Sequence, residues 1–175
     1  RQMHLQNLVH GDIKPGTIFV HHDATCRLGS FGLSCSLSGA FSQTRLAVSG
    51  GTPAYMSPEH TTRTRRPVDG RSDLYSLGMV LYELLTGRLP FELGEDDRDH
   101  WAHYHIASAP LAPDAIRPDV PEMLSTIILK LLEKHPDNRY QTVDGLIADL
   151  RRCQATLTCE GEIVAFTPGQ QDRTP

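Results

Sequence analysis

The sequence predicts a mainly α fold, a helical bundle carrying one small β-hairpin, on three observations. Three segments beyond residue 70 repeat apolar residues at helical spacing. Two short triplets, Ile-Phe-Val and Cys-Arg-Leu, flank a polar turn near residue 23, the pattern of a hairpin. A length of 175 residues suits one domain with a real core.

Taken in order, Ile18-Phe19-Val20 and Cys26-Arg27-Leu28 flank His21-His22-Asp23-Ala24-Thr25, so two strands joined by a turn are expected. Residues 34–50 are rich in Ser, Gly and Thr without a period and read as a mobile loop. A helix is expected from Ser72, its N-cap, to Thr86, stopping at Gly87, with Leu74, Leu77, Leu81, Leu84 and Leu85 as its apolar stripe. Pro90-Phe91 turns the chain, and Asp99 to Ala107 forms a short polar helix. Pro121 to Lys134 is another, with Ile127, Ile128, Leu131 and Leu132 inward. Thr142 to Thr156 carries Val143, Leu146, Ile147 and Leu150 at helical spacing, and Pro136 fits the break before it. After Leu157 the polarity rises and the stripe ends. Residues 1–155 are therefore the expected folded unit and 156–175 a linker toward a further domain. No internal repeat is visible.

A net charge of -4 argues against a general nucleic-acid or anionic-membrane binder. No run approaches the roughly eighteen apolar residues of a membrane span, and no signal peptide is visible. Cys26, Cys35, Cys153 and Cys159 show no Cys-x-x-Cys pairing and read as free thiols of a reducing cytoplasm, although Cys153 and Cys159 would bridge if they met. The chain opens on Arg1, so a piece of a longer protein is expected.

Val9-His10-Gly11-Asp12-Ile13-Lys14-Pro15-Gly16-Thr17 places an acid and a lysine two residues apart, so on an extended loop both side chains face one side. An isolated Asp-x-Lys is more often a turn aspartate beside a surface lysine. Here it heads a series. Leu28-Gly29-Ser30-Phe31-Gly32 follows, with eighteen positions from Asp12 to Ser30. Then come Gly51-Thr52-Pro53-Ala54-Tyr55-Met56-Ser57-Pro58-Glu59, Asp73-Leu74-Tyr75-Ser76-Leu77-Gly78 and His135-Pro136-Asp137-Asn138-Arg139-Tyr140. In this order, across roughly residues 4–152, the five stretches resemble the eukaryotic-like Ser/Thr protein kinase family. The first resembles the catalytic loop His-Arg-Asp-x-Lys-Pro-x-Asn, and the second the Asp-Phe-Gly magnesium loop with serine for aspartate.

The resemblance implies the large, helical C-terminal lobe of that fold, with the hairpin carrying the catalytic and metal loops. These 175 residues hold no Gly-x-Gly-x-x-Gly loop, no Val-Ala-x-Lys strand and no partner glutamate, so the small N-terminal lobe that covers ATP is the first implied partner. The other implied partners are a protein substrate or regulatory domains of the parent chain. Gly70 to Gly78, Leu85 to Phe91 and the tail from Gly161 to Asp172 most resemble the kinase-like domain of large bacterial signalling proteins, in which ATPase, sensor and histidine kinase modules follow.

Residue by residue, the resemblance makes Asp12 the acceptor of a substrate hydroxyl proton, Lys14 the neutraliser of phosphoryl charge and Thr52 the bond to both. Lys14 and Thr52 match the Ser/Thr-directed branch. Gly11 replaces an arginine that pairs with an activation-loop phosphate, which removes that readout; a glycine also serves where the backbone needs freedom. The implied cofactors are ATP and Mg2+. Thr17 stands at the second metal position and Ser30 at the principal one, both degraded, since magnesium prefers anionic oxygen beside polyphosphate. Losing one well-placed electrostatic group typically costs about 3 kcal/mol, or ~10²-fold in rate. Phe19 falls under the adenine position, to crowd or stack on the purine, or is a core phenylalanine of its strand. His10, Phe31, Glu59, Asp73 and Arg139 are structural: Glu59 and Arg139 as a buried ion pair, Asp73 as the acid on the loop backbone near His10.

Two further clusters draw the eye. Asp99, His100, His103 and His105 resemble a metal set but lack a well-spaced further ligand, so a solvated helix face is expected. Arg63, Arg65, Arg66 and Arg71 would suit an acidic peptide or phosphate, or form an exposed loop. The expected function is a pseudokinase or regulatory module. An active Ser/Thr kinase whose N-lobe lies outside this chain and an ATP-binding switch without transfer both stay open.

Overall fold

Two small antiparallel ladders sit at one end of a helical bundle in the computed structural model, which describes residues 1–36, 51–91 and 98–172. The described elements are α1 (Gln2–Leu5), β1 (Leu8–Val9), β2 (Ile18–Val20), β3 (Cys26–Leu28), β4 (Cys35–Ser36), α2 (Gly70–Thr86), α3 (Arg98–Ala107), α4 (Pro113–Ile116), α5 (Glu122–Leu131) and α6 (Val143–Glu160). Short 3-10 turns fall at Pro15–Thr17, Phe31–Leu33, Pro53–Tyr55, Pro58–Thr61 and Pro136–Asn138.

The expected hairpin pairs Ile18 with Leu28, Phe19 with Arg27 and Val20 with Cys26. A second ladder, which no local pattern announces, joins β1 to β4 through Leu8–Ser36 and Val9–Cys35. Most of the loop expected to be mobile, residues 37–50, lies outside the described residues.

The central helix α2 begins earlier than expected. Its N-cap is Asp69, whose carboxylate accepts from Arg71 N at 2.8 Å, while Ser72 Oγ accepts from Asp69 N at 3.3 Å. Ser72 is thus the third residue of a capping box, not the cap itself. Gly87, at φ +74°, closes the helix as expected. The leucine stripe is only part of the buried surface. Leu84 is 66% exposed, whereas Tyr75, Met79 and Tyr82 are buried against Ile128 and Leu132. Leu74 meets Met123, Ile127, Leu131, Tyr140, Leu146 and Cys153 on another side. A helix buried on several sides is central to its domain. Gly78 allows α2 and α5 to approach closely: a Cβ there would fall 2.8 Å from Leu131 Cβ.

In α5, Ile127, Ile128, Leu131 and Leu132 are buried as expected. Thr142 caps α6 by accepting from Gly145 N at 3.0 Å, but α6 runs to Glu160 rather than ending near Thr156. The segment expected as a linker then folds back, and Ile163 and Phe166 pack on the core that holds Leu146 and Cys153. None of Cys26, Cys35, Cys153 and Cys159 is in a disulfide. Among the described residues, no helix is long and apolar enough to cross a membrane.

Candidate active site

Asp73, buried in the first turn of α2, organises the loop that follows β1. Its carboxylate accepts from His10 N at 2.9 Å and Gly11 N at 3.0 Å, and it meets His4 Nε2 at 2.9 Å. Gly11 has φ +79°, a left-handed backbone that favours glycine, so its identity follows from conformation. His10 is fully buried. Its Nε2 bonds the Gly29 carbonyl at 2.9 Å and must donate, while Nδ1 accepts from Asp12 N at 3.3 Å; the ring is therefore the neutral Nε2–H tautomer. His10 meets the Phe31 ring edge-on at 5.4 Å.

This loop brings Asp12, Lys14 and Thr52 into one closed triangle. Lys14 Nζ lies 2.8 Å from Asp12 Oδ2 and donates to Thr52 Oγ1 at 2.6 Å. Asp12 Oδ1 accepts from Thr52 N and Thr52 Oγ1, each at 3.1 Å. A carboxylate fixed by these donors keeps lone pairs for the proton of an incoming hydroxyl, and the ammonium beside it offsets negative charge on a transferred group.

The other half of the site differs. Thr17 is buried, its Oγ1 accepts from Lys14 N at 3.1 Å, and its one proton is shared between Asp12 O at 3.1 Å and Lys14 O at 3.0 Å. At the position expected to face a cofactor or second metal, this hydroxyl braces the loop's own backbone. Ser30 is exposed, with φ +64°. Neither position supplies a carboxylate, and no cluster of three or more His, Cys, Asp or Glu suited to a metal occurs among the described residues. The two positions thus offer neutral hydroxyl oxygens, where magnesium beside a polyphosphate prefers anionic ones. Phe19 is 59% exposed, which removes the core reading; its ring lies over Gly29, where a Cβ would fall 2.7 Å from Phe19 Cε2.

Glu59 and Arg139 form a two-pronged pair, Nη1–Oε1 at 2.6 Å and Nη2–Oε2 at 2.9 Å, with side chains 1% and 0% exposed. Ser72 Oγ adds a bond to Glu59 Oε1 at 2.7 Å. Burial opposes the charged carboxylate, but Arg139 and the Ser72 hydroxyl outweigh it and hold Glu59 below its ordinary range.

The expected solvated face of α3 is half wrong. His100 and His103 are exposed, but His105 is buried, stacked on Trp101 at 5.7 Å. Its Nε2 donates to Pro53 O at 2.8 Å, so Nδ1 accepts from Tyr75 Oη at 3.0 Å. His105 thereby ties the residue after Thr52 to α2 and α3. The signal available was its spacing of four from Trp101, one apolar face. Arg63 pairs with Asp99, and Arg71 with Asp69 and Asp137, so much of the arginine stretch is spent within the lobe.

Burial pushes the His105 imidazole down to about 4, against the donor bond to Pro53 that favours charge. An unfolded histidine titrates near about 6.5, so below that pH the unfolded chain takes up a proton that the fold resists. Stability from this residue is complete above pH ~6.5 and lost as pH falls to about 4. The expected loss is about 3 kcal/mol at one unit per 1.36 kcal/mol, measurable by denaturant unfolding across that window, and His105→Gln flattens it.

The protein kinase domain family matches residues 1–149. Serine/threonine-protein kinase PknB of Mycolicibacterium smegmatis is 40% identical over 150 residues, 85% of this chain and 23% of the relative. PknB of Mycobacterium leprae is 38% identical over 149 residues, again 85% and 23%. Hybrid signal transduction histidine kinase G of Dictyostelium discoideum is 48% identical over 104 residues, 59% of this chain and 3% of that protein. The chain spans about a quarter or less of the length of these curated relatives.

Proposed function

Because the chain belongs to the protein kinase family, we propose that it is the large lobe of a Ser/Thr-type kinase domain working as a pseudokinase, a regulatory module rather than a phosphotransferase. The family transfers phosphoryl groups from ATP with Mg2+. Here the hydroxyl-activating half, Asp12 with Lys14 and Thr52, keeps a geometry suited to that task. The metal half does not. The observation that carries the reading is Thr17, a buried hydroxyl whose proton serves the loop's own carbonyls, beside a neutral Ser30.

Such a module acts by binding: to an N-terminal lobe, to a protein substrate held without turnover, or to regulatory domains of a longer signalling chain. Likeness to a hybrid histidine kinase supports the last, and four cysteines without a disulfide suit a reducing cytoplasm. The competing reading, an active Ser/Thr kinase, draws on the intact triangle around Asp12. The deciding measurement is Mg2+-dependent phosphate transfer to protein Ser/Thr by the full-length gene product. Transfer no greater than in Asp12→Ala is expected. Transfer that vanishes on Asp12→Ala would establish the active enzyme, and tight ATP binding without transfer would mark a nucleotide switch.

A further inference from the structure

The segment beyond α6 is held by more than apolar packing. The Asp172 carboxylate accepts from Gln141 N at 2.5 Å, Thr142 N at 3.0 Å and Thr142 Oγ1 at 2.7 Å, at the N-terminal end of α6. Negative charge there is favoured by the helix dipole and its unpaired N–H groups. The fit is close. A Cβ on Gly145 would lie 2.4–2.5 Å from atoms of Asp172, so the tail occupies the space of the missing side chain. Gly169, at φ +81°, donates to Asp149 Oδ2 at 2.6 Å, and the same oxygen accepts from Tyr140 Oη at 2.6 Å. Phe166 lies beneath the Arg152 guanidinium at 4.3 Å.

The residue that Asp172 grips also braces the Glu59–Arg139 pair. Gln141 Oε1 accepts from Arg71 Nη1 at 2.9 Å, and Gln141 Nε2 bonds Arg139 O at 2.8 Å. Arg71 O in turn accepts from Arg139 Nη1 at 3.1 Å.

We propose that residues 163–172 are a strap, latched by Asp172, whose docking supports the Arg139–Glu59 anchor of the 53–61 segment. Undocking the strap loosens that segment. The strap and the segment that carries Glu59 therefore share one hydrogen-bond network, and each biases the other.

Hydrogen exchange on the full-length protein tests this with two variants. Asp172→Ala removes the latch. Gly145→Ala leaves the tail sequence intact and raises helix propensity in α6, which by itself protects the helix. The strap predicts the opposite sign. The new methyl expels Asp172, and exchange rises in 161–172 and, beyond it, by about 2- to 30-fold at 57–61 and 139–146 in both variants. Gln170→Ala, on an exposed position, leaves all of these unchanged. A rise confined to 161–172 and the start of α6, or no rise, overturns the proposal. A uniform rise over every helix also overturns it, since the segment would then be core and not a releasable strap.

Discussion

Arg139→Leu is expected to lower the free energy of unfolding by about 3–5 kcal/mol, the usual cost of removing one member of a buried pair. Glu59 is left as a buried carboxylate with the Ser72 hydroxyl as its remaining side-chain donor. Three backbone carbonyls, of Arg71, Glu133 and Lys134, lose the guanidinium at the same time. The double variant Glu59→Met/Arg139→Met should recover most of the loss, because a neutral pair of similar volume leaves no stranded charge. Urea titration of the three proteins is the measurement. A single variant within 1 kcal/mol of the parent would mean that the pair adds little to stability.

The second large effect concerns nucleotide. In the full-length protein, Ser30→Asp is expected to raise Mg2+-dependent ATP affinity or turnover by ~10²-fold, the typical worth of one well-placed electrostatic group. The position is exposed, so the added carboxylate meets no burial penalty. Thr17→Asn should add less, since the new amide must also satisfy Asp12 O, Lys14 O and Lys14 N in a buried place. Titration calorimetry with and without Mg2+ reads both. A parent protein that already binds ATP with the magnesium dependence of Ser30→Asp would show that the serine is a sufficient ligand and defeat the pseudokinase reading.

Motif spacing carried much of this site in the sequence, because loops pinned at both ends keep their lengths. Asp12, Lys14 and Thr52 meet across forty positions because α2 pins one loop through Asp73 and the other through Ser72 and Glu59. Local pattern failed where burial has more than one direction. A leucine-only stripe overlooks Tyr75, Met79 and Tyr82, which face a second core on the same helix. The β1–β4 ladder is two residues long in each strand, too short for periodicity to register. His105 reads as solvated because two exposed histidines in a polar helix mask the buried third. The tail misled for a related reason: besides Ile163 and Phe166, its hold comes from one carboxylate and two glycines, and these three add no hydrophobic signal.

The left-handed backbone at Ser30 has a consequence for how such loops are recognised. A residue with a Cβ in that region costs about 1–2 kcal/mol relative to the right-handed form. Ser30 has no carboxylate to repay it, so the conformation must be imposed by its neighbours. His10, bonded to the Gly29 carbonyl on one side and pressed on Phe31 on the other, clamps the turn from both ends. The curve of the loop at residue 30 is therefore set by the residues on either side of it, whatever side chain the position itself carries.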